Sequence, residues 1–248
     1  MLAAGLVPGA NGQPRRSFHV DAVPLVAKIT PPLQVLGQEF VPAGGPCLLL
    51  VNHYYRPGFN AWWISLAISA IVPVEVYWVV TAALTYPGQR RGLVMRPLAR
   101  TFLAYVARVY GFFGMPAMPP NPRDSPARAA AVRKVVKHAR KLPGPVIGLA
   151  PEGRDILDGK LGWPPPGGGR FVLRLAKMGL KLAPVGLYED GGCFWLRFGP
   201  AFELETPAGI PLAELDRCAS RQVMEHIAGL VPERMRGEFG GNNADTFD

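Results

Sequence analysis

The chain has 248 residues, 27 Lys and Arg against 18 Asp and Glu, and a net charge of +9. Nearly half of it is apolar, which excludes a disordered chain, and the length suits one α/β domain or two small ones. Cys47, Cys193 and Cys218 show no CxxC spacing, so neither a zinc site nor a disulfide scaffold is indicated, and reduced thiols in a cytosolic setting are expected.

Residues 1–22 read as a flexible N-terminal arm with no positive n-region, hence no secretory signal. Residues 23–236 read as a single domain and 237–248 as a mobile polar tail. Leu33 to Leu36 predicts a strand, turned at Gly37 toward Pro42-Ala43-Gly44-Gly45. Cys47 to Val51 is a short apolar run and predicts a buried strand. It ends in Asn52-His53, a polar pair at a strand end, followed by the turn Arg56-Pro57-Gly58. A helix is predicted over 60–71 and a strand over Val74 to Val80, which is rich in β-branched and aromatic residues.

A helix from Pro97 to Val109 follows from the spacing of Phe102, Leu103, Val106 and Val109. Phe112 to Pro122 reads as a loop. Ala127 to Lys141 predicts an amphipathic helix, with Ser125 as its cap and Pro126 at its first position. Val146 to Leu149 predicts another buried strand, and it runs into the loop Ala150-Pro151-Glu152-Gly153-Arg154. The run Pro164 to Gly169 is not a P-loop, since no Lys-Ser or Lys-Thr follows. A helix is expected over Phe171 to Leu180, strands over Leu182 to Leu187 and Phe194 to Phe198 with a turn between them, and a last helix over Leu212 to Leu230.

This alternation implies an α/β fold with a mixed, largely parallel sheet flanked by helices. Two of its strands end in polar loops, one carrying Asn52 and His53, the other Glu152, Gly153 and Arg154. If both loops leave the same sheet edge, a base and a charged clamp face one cleft. A His at a strand end either bonds its own loop or acts as a general base near neutral pH.

Between Arg90 and Lys141 stand twelve Lys and Arg against one acid, Asp124. Such a block suits either an anionic partner or a solvated surface. No RNP, helix-turn-helix or zinc-finger pattern accompanies it, so no specific nucleic acid is expected. The charge-free run Pro57 to Val74, with Val76 to Gln89 beyond it, reads as a buried helix and strand rather than a membrane span. His19, His53, His138 and His226 show no paired spacing, so no metal is expected.

Several blocks in this order resemble the glycerolipid acyltransferases of the lysophosphatidic acid acyltransferase type, from about Leu33 to Leu204. Gly37 to Pro42 is similar to the family's G-x-E-N-L-P lead-in, and Leu50-Val51-Asn52-His53 to the start of its N-H-x-x-x-x-D block. Ala150 to Arg154 resembles F-P-E-G-T-R, Asp158 to Gly162 resembles D-G-x-L-G, and Ala183 to Leu187 resembles V-P-V-x-I. The resemblance implies phospholipid biosynthesis: a fatty acyl group moved from acyl-CoA or acyl carrier protein to a lysophospholipid or related hydroxyl. His53 would be the base and Asn52 would fix its loop. Pro151, Glu152, Gly153 and Arg154 would bind the acceptor. No cofactor beyond the acyl donor is implied. A membrane lipid surface is the implied partner, met by a cytoplasmic, peripherally associated protein.

The chain also departs from that pattern. Gly58 stands where the family has its orienting Asp, and no carboxylate occurs between His53 and Glu75. A distant acid such as Glu75 or Asp190 would have to fold back. The family's Arg-bearing block should fall near Gly111 to Ala117, where no Arg stands. Either Arg154 occupies the Thr position of the P-E-G-T-R block and Asp155 its Arg position, or the loop is one residue short. Two readings follow: an acyltransferase with a degenerate motif, or an impaired relative that binds lipid at a membrane surface.

Overall fold

Cys47–Val51 (β2) is buried along its whole length, because both faces of the sheet it occupies are covered. Leu48 and Leu50 point into one apolar cluster, while Cys47, Leu49 and Val51 point into the other. The computed structural model describes residues 16–81, 92–118, 120–207 and 209–240, with backbone alone for 92–100.

Seven strands form one sheet: Leu33–Leu36 (β1), β2, Val76–Thr81 (β3), Phe113–Met115 (β4), Val146–Leu149 (β5), Lys181–Asp190 (β6) and Cys193–Phe198 (β7). Their spatial order is β1-β7-β6-β2-β5-β3-β4. Every neighbouring pair is parallel except the β6–β7 hairpin. The expected mixed, largely parallel α/β sheet is therefore found. The helices are Phe18–Val26 (α1), Trp62–Ile71 (α2), Gly92–Tyr110 (α3), Ser125–Ala139 (α4), Gly168–Ala176 (α5) and Leu212–Ala228 (α6).

Helices α4, α5 and α6 cover one face, through Val135, Val136, Val172, Leu175, Val223 and Met224. Helices α1 and α2 cover the other, through Phe18, Ile64, Ala67 and Ile68. Trp78 is buried and donates its indole N–H to Ser69 Oγ at 2.9 Å, so this part of the apolar 61–80 segment is core. No described helix is long and apolar enough to cross a membrane.

Several expected boundaries move. The supposed arm ends earlier: Ser17 caps α1 by accepting from Val20 N, Glu75 accepts from Phe18 N, and Phe18 is buried against Tyr110 and Phe112. Residues 1–15 of that arm lie outside the described residues, as do Arg90 and Arg91 of the basic block and 241–248 of the tail. The start of the tail is fold, since Phe239 is buried against Trp163. Phe113–Met115, read as loop, is a short edge strand. Ser125 opens α4 without a side-chain capping bond; Asn121 caps the preceding turn instead.

Helix α4 packs its Val and Ala stripe on the sheet and leaves Arg133, Lys134, Lys137 and Arg140 in solvent. Its C-terminal end leads into the start of β5, so Lys137, Arg140 and Lys141 lie at the sheet edge opposite the loops that leave the ends of β2 and β5.

Candidate active site

Strands β2 and β5 are direct parallel neighbours, with Leu50 level with Leu149. The loops that follow them, Asn52-His53 and Ala150 to Arg154, therefore leave the same edge of the sheet, where parallel α/β folds gather their functional groups.

Asn52 fixes the first loop. Its side chain is 1% exposed; its Nδ2 donates to Leu187 O at 2.9 Å and its Oδ1 accepts from Leu187 N at 2.8 Å. The amide imitates a backbone pair, so β2 stays tied to β6 one residue beyond its last strand position. A buried amide satisfied on both atoms is stable only in this orientation, and His53 is aimed by it.

Glu152 joins the two loops. It is 1% exposed, yet both oxygens are used: Oε2 accepts from His53 N at 2.5 Å and Oε1 from Gly162 N at 2.7 Å. Burial pushes its carboxyl up to about 7, against the pull of those two amides, His53 and Arg154. With both oxygens spent on backbone, Glu152 holds the site together rather than presenting a free carboxylate to an acceptor. Pro151 is likewise buried. Gly153 turns the chain at φ +66°, a conformation costly for a residue with a Cβ, and donates to Ala150 O at 3.1 Å. Arg154 beyond it is exposed and makes no hydrogen bond or ion pair with the described residues.

The block Asp158 to Gly162 closes the second loop. Lys160 N donates to Asp158 Oδ1 at 3.0 Å, Leu161 N to Met235 O at 2.7 Å, and Gly162 returns to Glu152. Its part in the site is to hold the loop shut.

His53 Nδ1 lies 3.0 Å from Asp155 Oδ1. The carboxylate sits off the line of the ring N–H, so Nδ1 is buried without an aligned hydrogen-bond partner. The His53 side chain is 18% exposed and that of Asp155 49%. The exposed part of the imidazole is thus away from Nδ1, on the side open to a substrate.

Neither distant acid considered from the sequence reaches His53. Glu75 binds Ser17 and Phe18 N on α1. Asp190 pairs with Arg234 at 2.8 Å. Gly58 is exposed at φ +80°, and the atom nearest a Cβ built there is Arg56 Nη1, at 4.0 Å. Arg56 is itself held by Glu189 at 2.8 Å, which raises its pKa further and staples the His53 loop to β6. The described residues contain no cluster of His, Cys, Asp and Glu suited to a metal.

Sequence reasoning missed Asp155 as a partner of His53 and Leu187 as the anchor of Asn52. Asp155 had left one trace, an acid in the slot where the resemblance calls for Arg. Leu187 left none, because the bonds use its backbone.

No protein-family model matches the chain. No curated protein matches its sequence. Among solved structures it is similar to the 1-acyl-sn-glycerophosphate (LPA) acyltransferase PlsC of Thermotoga maritima, at 14% identity and a TM-score of 0.47, over 86% of this chain and 77% of that one.

Proposed function

We propose that the chain is a glycerolipid acyltransferase that moves a fatty acyl group from acyl-CoA or acyl carrier protein to a hydroxyl of a lysophospholipid or related lipid. One observation carries the reading: His53, half-buried at the end of β2, is bonded through its amide to Glu152 of the β5 loop, so the imidazole and Arg154 belong to loops of one sheet edge.

The chemistry follows from those groups. An alcohol is too weak an acid to be a nucleophile unaided near neutral pH. His53 takes the hydroxyl proton as the oxygen attacks the thioester carbonyl carbon. The tetrahedral intermediate collapses, the C–S bond breaks, and the leaving thiolate takes the proton back from the imidazolium. Ester and thiol are formed and His53 returns to its starting state. Arg154, exposed and unpaired among the described residues, is the cation for an acceptor phosphate.

A lipid acceptor needs a membrane contact. Trp62 and Phe102 are 36% and 55% exposed with ring centroids 6.2 Å apart, and Leu157, two residues beyond Asp155, is 71% exposed. Aromatic and aliphatic groups of this kind insert at a bilayer interface, consistent with peripheral association.

The test is acyl transfer from labelled acyl-CoA and acyl carrier protein to a panel of lysophospholipids. Ester formation matched by thiol release is the expected result; its absence across the panel with both donors would defeat the proposal. The competing reading, a lipid binder without turnover, has Gly58 in its favour and predicts liposome binding unaffected by His53→Ala.

A further inference from the structure

We infer that Asp155 is the positioning residue for His53, so that the orienting carboxylate comes from the β5 loop rather than from the His53 loop. The inference deepens the acyl-transfer reading and rests on it.

Three observations converge. Asp155 Oδ1 is 3.0 Å from His53 Nδ1, and no other described acid forms an ion pair with that ring. Nδ1 is buried and otherwise unpartnered. A buried nitrogen with no bond costs on the order of 1–3 kcal/mol, which a carboxylate turned into line removes. The neighbouring acids are already committed: Glu152 to two backbone amides, Glu189 to Arg56, and Asp190 to Arg234.

The His53 loop carries Arg56, stapled to Glu189, and the Glu152 loop carries Asp155 with Arg154 beside it.

The present contact is close but unaligned. Asp155 is half exposed, so a bound acceptor that excludes water can draw the carboxylate into the ring plane. Such tightening on substrate binding is common for catalytic hydrogen bonds. With Nδ1–H given to Asp155, the Nε2 lone pair faces the hydroxyl, and the imidazolium formed in the reaction lies against a negative charge.

The experiment reads the ring directly. Nitrogen-15 ring spectra of the full chain, taken at a pH where histidine is neutral, report which nitrogen of His53 carries the proton, with His53→Ala assigning the signal. Native protein is expected to hold it on Nδ1. Asp155→Ala moves it toward Nε2 and lowers kcat by about 10³- to 10⁴-fold with KM little changed, as loss of a triad carboxylate does. Asp155→Glu restores part of both. An Nε2–H ring in the native protein, or Asp155→Ala leaving tautomer and kcat in place, overturns the assignment. If transfer is lost in His53→Ala but kept in Asp155→Ala, the inference fails while the acyltransferase reading stands. If the tautomer moves but even native protein transfers nothing, the pairing stands and the enzymatic reading fails.

Discussion

Glu152 accepts the backbone amide of His53 with one oxygen and that of Gly162 with the other, although its side chain is almost wholly buried. Two donors need two acceptors, which the two oxygens of the carboxylate supply. A glutamine would turn an NH₂ group toward one of the amides. Glu152→Gln is therefore predicted to destabilise the protein by about 1–3 kcal/mol, the usual cost of an unsatisfied buried donor. Urea unfolding at pH 7 measures it. It also loosens the His53 loop, so activity falls more than a control substitution at exposed Lys137 causes.

The pH dependence of stability has two opposed limbs. Glu152 has a folded pKa raised to about 7 from 4.5, so the native state holds a proton that the unfolded state has released. Its contribution to stability declines as pH rises from about 4.5 to 7. His138 is lowered to about 4 from 6.5, by burial first and Lys141 second. Its native state refuses a proton that the unfolded state takes, so stability is lost as pH falls from 6.5 toward 4. The two slopes oppose each other and nearly cancel between pH 4.5 and 6.5, so unfolding free energies should show an uncovered rise with pH in Glu152→Gln and an uncovered fall with pH in His138→Phe.

His138→Phe should also stabilise outright. The ring lies 4.3 Å from Tyr77 and 5.2 Å from Phe113, and its buried Nε2 has no partner. A phenyl ring keeps the aromatic contacts and removes the orphan nitrogen. A gain of about 1 kcal/mol is expected at pH 5, and it should grow as pH falls toward 4, where only the unfolded chain readily takes the proton. A fall in midpoint temperature would show that the imidazole makes a contact the phenyl cannot.

Restoring the resembled motif at position 58 should not help. A Cβ there faces Arg56, and φ +80° disfavours any side chain. Gly58→Asp is predicted to lose about 1 kcal/mol of stability, to pair with Arg56, and to leave Asp155→Ala unrescued. Recovery of transfer in the double variant would show that the first loop can swing its residue to His53.

Arg154→Ala should raise KM for a phosphate-bearing acceptor about 10- to 100-fold, the worth of a charge-assisted hydrogen bond, with kcat little changed. An acceptor lacking phosphate should show no such loss. Steady-state kinetics with the paired acceptors decides it.

Much of the layout is legible in the residues because local pattern and burial agree. Cys47 to Val51 reads as buried strand and is one; the hairpin of β6 and β7 and the stripe of α4 follow in the same way. What stays hidden depends on partners distant in the chain. Helix α5 begins inside the glycine run because Asp216 of α6 accepts from Gly167 N and Arg170 N, a cap that no local rule supplies. The start of α1 depends on Glu75 in the same way. Strand β4 is three residues in a Pro- and Gly-rich stretch, held by pairing with β3 and by Phe113 against His138 of α4. The site divides likewise: Asn52, His53 and the Glu152 loop are visible as polar residues after apolar strands, whereas Asp155 acquires meaning only once β2 and β5 lie side by side.

The most direct test compares native protein with His53→Ala for transfer of a fatty acyl group from a thioester to a lysophospholipid, with unfolding midpoints showing that both are folded. Transfer by the native chain, lowered by about 10²-fold or more in the variant, is the predicted result, since general-base removal alone is worth about 10²–10⁴. Equal rates in the two proteins, or none in the native one with either donor, would contradict it.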